Sequence, residues 1–155
     1  MSKQHIPFHV HPSSMDSGST VESIVDRCIE LQKDLPVKYA TMTDHGFMGD
    51  CFKFYDVCRK KKVKPILGVE GYFKDDACCI IKDTESEKLK YFHIIVHFLD
   101  QEAYQKGCEV LSDADTKGIV AGGERKPIFN WSDLKFSAKA TETTIKTLVW
   151  VNGSN

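Results

Sequence analysis

The chain has 155 residues, 41% hydrophobic and 28% charged, with a formal net charge of −1. That length is enough for one buried core, and a charge near zero gives no bulk attraction to nucleic acid or anionic membrane. The opening MSKQHIPFHV lacks the apolar core of a secretion signal, and no apolar run approaches a membrane span. The six cysteines include no C-x-x-C pair, so reduced thiols that serve mostly in packing, in a cytoplasmic protein, are expected.

Ile6 to His11 reads as a first strand ending in His9-Val10-His11. A small polar loop from Pro12 to Ser19 follows, holding Asp16 and Gly18. Thr20 is placed to N-cap a helix running to about Lys33, with Val21, Ile24, Val25 and Cys28 along one face. Pro36 closes that region. Val37 to Met42 is a second strand, halting at Thr43-Asp44-His45-Gly46. Asp50 to Lys62 then places Cys51, Phe54, Tyr55 and Cys58 at helical spacing, and Phe52, Phe54 and Tyr55 are expected in the core rather than on a base-stacking platform. Lys64 to Val69 is a third strand, delivering Glu70 at its end. Strand, helix and strand within about 30 residues make a βαβ unit, a right-handed crossover between parallel strands.

Beyond Tyr72 the pattern weakens. Ala77 to Ile81 reads as a short strand and Lys82 to Lys90 as a charged loop. Tyr91 to Leu99 is a strand carrying His93 and His97, and Asp100 caps a helix to about Leu111. Asp113 to Lys126 is Gly-rich and polar, and reads as a loop. Trp131 to about Lys139 is a short helix, and Ile145 to Val151 a last strand before Asn152-Gly153-Ser154-Asn155. The β-α alternation repeats about four times, too few to close a barrel.

The polar residues at the strand ends carry the chemistry. His9 and His11, two apart on a strand, face the same side and can grip a divalent metal through imidazole nitrogens. His45 and Glu70 sit at the next two strand ends, where parallel α/β folds keep their reactive groups. Imidazoles with carboxylates suit Zn, Mn or Fe(II). Asp44 has two roles open to it, capping the next helix or orienting an imidazole. The run Arg59-Lys60-Lys61-Lys62-Val63-Lys64 is either a nucleic-acid contact or a set of cations at a helix C-terminus, and the second reading is preferred.

HVH near the start, TDHGFMG, FYDVCRKKKVKPILGVEGY and HIIVHFLDQEAY resemble the polymerase and histidinol phosphatase (PHP) family. The likeness is greatest to the PHP domain that opens bacterial and phage DNA polymerase III alpha subunits, and is strongest from Pro7 to Phe73. It implies a distorted seven-stranded (β/α) TIM-like barrel, of which residues 1–155 form a single truncated domain, its N-terminal half. It also implies two or three divalent metals, with His9, His11, His45, Glu70 and His93 as ligands, Glu70 bridging, and Asp16 as a weaker match. His97 is left as a packing residue. Ser154 stands where the family often has a cysteine ligand, and the closing Asp-x-His motif would lie beyond Asn155.

The function so implied is a metal-dependent phosphoesterase, a hydrolase or 3′–5′ exonuclease trimming DNA 3′ ends or cleaving phosphate esters in DNA replication. The alternative is a non-catalytic PHP scaffold of a replicative polymerase. An open sheet would expose an edge and an apolar face, so a complementing fragment, a polymerase subunit or a second copy is an expected partner.

Overall fold

The computed structural model describes residues 9–12, 17–73, 92–117, 119–121, 124–126, 128–129 and 147–152. They fall into two compact units, Met1–Val69 and Glu70–Asn155. Both are built from strands and helices, so the chain is a mixed α/β protein.

In the first unit, helix α1 (Val21–Leu31) starts where expected, with the Thr20 hydroxyl accepting from the Ser23 amide at 3.1 Å. Val21, Val25 and Cys28 form its buried stripe. Strand β1 (Tyr39–His45) starts later than the apolar run and ends later too. Its start is set by Gln32, wholly buried just past α1. The Gln32 amide accepts from the Tyr39 N–H at 2.8 Å and donates to the Tyr39 carbonyl at 2.7 Å, standing in for a neighbouring strand. Val37 lies before that clamp and is exposed. The extension through Thr43 and Asp44 is legible only in three dimensions, because both residues are polar yet buried.

Helix α2 (Cys51–Lys60) buries Cys51, Phe54, Val57 and Cys58. Placing Phe52 and Tyr55 in the core was too generous: Phe52 is 82% and Tyr55 42% exposed. The buried stripe centres on the Val57 side of Cys51, which at 100° per residue turns Tyr55 to the margin and Phe52 to the back. The helix ends in a Schellman motif, with the Val63 amide on the Cys58 carbonyl at 2.9 Å and the Lys62 amide on the Arg59 carbonyl at 3.1 Å. Helix α1 packs on α2 and on β1, and strand β2 (Lys64–Phe73) neighbours β1. Burial pushes the Cys58 thiol up to about 12, helped by the nearby Cys28, whose own thiol is also raised by burial.

The second unit takes the end of β2, from Glu70 onward. Strand β3 (Phe92–Phe98) neighbours it and is buried from Ile94 to Phe98, so both its faces are covered. Helix α3 (Gln101–Lys117) begins at Asp100, whose carboxylate accepts from the Ala103 amide at 2.8 Å. It runs well past Leu111, because Ala114 extends the apolar stripe through the acidic stretch. The expected loop from Asp113 to Lys126 is therefore overturned. Its first part is helix, and its second is a hairpin of β4 (Ile119–Ala121) and β5 (Glu124–Lys126), paired Ala121 to Glu124.

Strand β6 (Ile128–Phe129) pairs in parallel with Tyr72 and Phe73 of β2. Strand β7 (Thr147–Asn152) runs antiparallel to β3, from Phe98 against Thr147 to His93 against Asn152. A simple repeat of right-handed crossovers would have made that last pairing parallel. Asp16, Ser154, the start of the first strand, the readings from Ala77 to Lys90 and the helix from Trp131 lie outside the described residues. Among the described residues, no helix is long and apolar enough to cross a membrane, and Cys28, Cys51, Cys58 and Cys108 are free thiols.

Candidate metal centre

Each unit builds one set of donor side chains. In the first, the segment His9–His11 runs beside β1 and is tied to it at Thr43: the Thr43 amide donates to the Val10 carbonyl at 2.8 Å. The Thr43 hydroxyl, wholly buried, makes three further contacts. It donates to the Val10 carbonyl at 3.1 Å, accepts from the Val10 amide at 2.9 Å, and lies 2.9 Å from His9 Nδ1. The hydroxyl thus links the Val10 backbone and the His9 ring to β1, the direction of its contact with Nδ1 following the histidine tautomer. That contact positions the His9 ring beside β1.

His9 Nε2 faces His11 Nε2 at 3.1 Å, with the rings edge to face and their centroids 4.5 Å apart. The same-face placement of the H-x-H pair is thus realised, although these residues lie outside any regular strand. The ring of His45 is 6.1 Å from that of His11. It ends β1, and the turn that follows depends on two glycines. Gly46 has φ 66, a left-handed conformation that turns the chain away directly after His45. Gly49 faces the Phe47 ring so closely that a Cβ there would sit 1.9 Å from it.

In the second unit, His93 Nδ1 donates to Glu70 Oε1 at 2.8 Å. The Tyr72 ring stands edge to face against His93 at 5.3 Å, and fixes the imidazole plane. Glu70 is mostly buried. It is not at a strand end as expected: β2 continues through Gly71, Tyr72 and Phe73. A carboxylate beside Nδ1 orients the His93 ring. His97 is buried, in keeping with the packing role expected of it. Both pairs, His9 with His11 and Glu70 with His93, belong to groups of donors of the kind that hold a metal ion.

Asp44 is wholly buried inside β1, and the N-cap of α2 is Asp50, so the helix-capping role for Asp44 falls away. Sequence reasoning missed Thr43. Its only signal was a hydroxyl two residues before a candidate donor in the TDHG motif.

The PHP domain model matches residues 5–153, and the chain belongs to that family. Its relatives include the DNA polymerase III subunit alpha of Helicobacter pylori, 30% identical over 65% of this chain and 8% of the relative. The subunit of the same name from Chlamydia trachomatis is 30% identical over 74% of this chain and 9% of its own length. That of Aquifex aeolicus is 27% identical over 87% and 12%. The chain thus spans about a tenth of the length of the curated relatives it matches.

Proposed function

We propose that this chain is the N-terminal half of a PHP-type (β/α) barrel and acts as a metal-dependent phosphoesterase on DNA 3′ ends or other phosphate esters. The observation that carries the reading is the 2.9 Å contact of His9 Nδ1 with the buried Thr43 hydroxyl, beside the 3.1 Å approach of His9 Nε2 to His11 Nε2. A histidine serving only as a surface residue has no need of a buried hydroxyl on Nδ1, whereas a metal ligand is held in place by such a partner on its other ring nitrogen.

His9, His11, His45, Glu70 and His93 would hold the metals, with Asp16 a further candidate, and Zn, Mn or Fe suits such a donor set. When bound, such ions activate a water and take up charge on a phosphoryl oxygen. The chain's own contribution is orientation. Thr43 holds the His9 ring, Glu70 and Tyr72 hold that of His93, and Asp44 lies next to His45 in β1. The partner in this reading is DNA together with a polymerase component or complementing fragment, and the setting is the cytoplasm.

A non-catalytic scaffold of a replicative polymerase is the second reading. Metal content by mass spectrometry and hydrolysis of a 3′-labelled oligonucleotide, each compared with a His9→Ala/Glu70→Ala variant, separate the two. Bound metal and turnover lost together in the variant support the enzyme. A folded, metal-free chain sinks it and leaves the scaffold.

A further inference from the structure

The outer face of α2 carries a feature that the metal donors do not use. Phe52 is 82% exposed and Tyr55 42%, three residues apart and thus neighbours on the helix surface. The Arg59 guanidinium lies 5.9 Å from the centroid of the Tyr55 ring, one turn further on. Lys62 follows at the helix terminus. From Phe52 to the last helical turn the row is about 12 Å long.

The charge on this face is not balanced locally. Lys60 holds Asp56 at 2.6 Å, Lys61 holds Asp26 at 2.5 Å, and Lys53 faces Glu22 at 3.9 Å. The carboxylates nearby are therefore engaged. Among the described residues, Arg59, Lys62 and Lys64 are left with no acidic partner, in a chain whose net charge is only −1. Lys62 is also the one described non-glycine residue at positive φ, 57°. It occupies the C′ position of the Schellman motif, where glycine or asparagine is free of the strain a lysine incurs.

We propose that this face of α2 binds single-stranded nucleic acid, with bases stacked on Phe52 and Tyr55 and phosphates paired with Arg59 and Lys62. Exposed rings beside unpaired cations match the alternation of base and phosphate along a single strand, and stacking of this kind is tolerant of sequence. An apolar protein partner would use the rings but not the surplus cations. An acidic peptide would use the cations and leave the rings in water. None of these residues is a candidate metal donor, so the inference stands apart from the phosphoesterase reading.

Fluorescence anisotropy of a labelled oligo-dT, in EDTA and at low salt, tests it on the full chain. Phe52→Ala and Tyr55→Ala each weaken binding about fivefold or more, and Lys62→Gly lowers the slope of log affinity against log salt by about one. Phe52 is so exposed that its alanine variant keeps the parent melting temperature, which preserves the test even if Tyr55→Ala unfolds. Unchanged affinity in Phe52→Ala overturns the proposal. So does a parent chain that binds no oligo-dT at low salt, or one that binds an acidic peptide equally well.

Discussion

The two donor sets are held by different means. His9 and His11 lie on a segment outside any regular strand, and His9 is exposed; the buried hydroxyl of Thr43 meets the His9 ring and the Val10 backbone between them. Glu70 and His93 sit within strands, and their contact is direct, carboxylate to imidazole at 2.8 Å. What the contrast teaches is that orientation of an imidazole can come from a carboxylate or from a hydroxyl. A carboxylate fixed within a strand, Glu70, supplies it for His93, and the Thr43 hydroxyl supplies it for His9.

Mutation of the donors should give the largest effects and divide along the same line. Glu70→Gln removes a mostly buried negative charge, and is expected to lower metal affinity by on the order of a hundredfold or more. His9→Ala should cost about tenfold less, because water can replace an exposed imidazole. Calorimetric titration with Zn or Mn measures both, and equal losses would dissolve the distinction.

Thr43→Val sharpens it further. Valine keeps the shape but gives His9 Nδ1 no hydroxyl partner, so metal affinity should fall about 10- to 100-fold. The Val10 amide also loses a partner, and urea unfolding should show a loss of about 1–3 kcal/mol. Thr43→Ser should recover most of both. If serine fails to rescue, packing rather than the hydroxyl is what Thr43 contributes.

The smallest effect concerns titration within the first unit. Cys58 is wholly buried and its thiol is pushed from 9.0 up to about 12. The unfolded chain ionises this thiol from about pH 9, while the folded chain keeps it protonated. Its contribution to stability is therefore complete below pH 9 and lost as the pH rises toward 12. Thermal melts of the parent should decline over that range, and Cys58→Ala should decline less steeply. Parallel curves would mean that the thiol does not set the alkaline limit.

The stretch from Thr20 to Glu70 was legible in the sequence because local signals agree there. Thr20 caps α1, the apolar spacing of α2 is helical, and Val37 to Met42 marks β1, although the strand runs on past its polar break at Thr43 to His45. Where signals are short or mixed, they mislead. The acidic run around Ala114 looks like a loop, yet one buried alanine is enough to continue α3. Phe52 and Tyr55 look like core, yet only the direction of the buried stripe tells which aromatic faces water.

By itself the sequence determined the residue types of the candidate site and most of the elements that carry them. Periodicity and strand-end position are local properties, and they place His45 at the end of β1. Tertiary structure decided the rest: that Gln32 starts β1, that Thr43 orients His9, that Glu70 meets His93 and that β7 runs antiparallel to β3. Each of these joins residues distant along the chain or sets which way a side chain points. Composition and spacing carry no record of such contacts, because they arise only when burial forces polar groups to find partners across the fold.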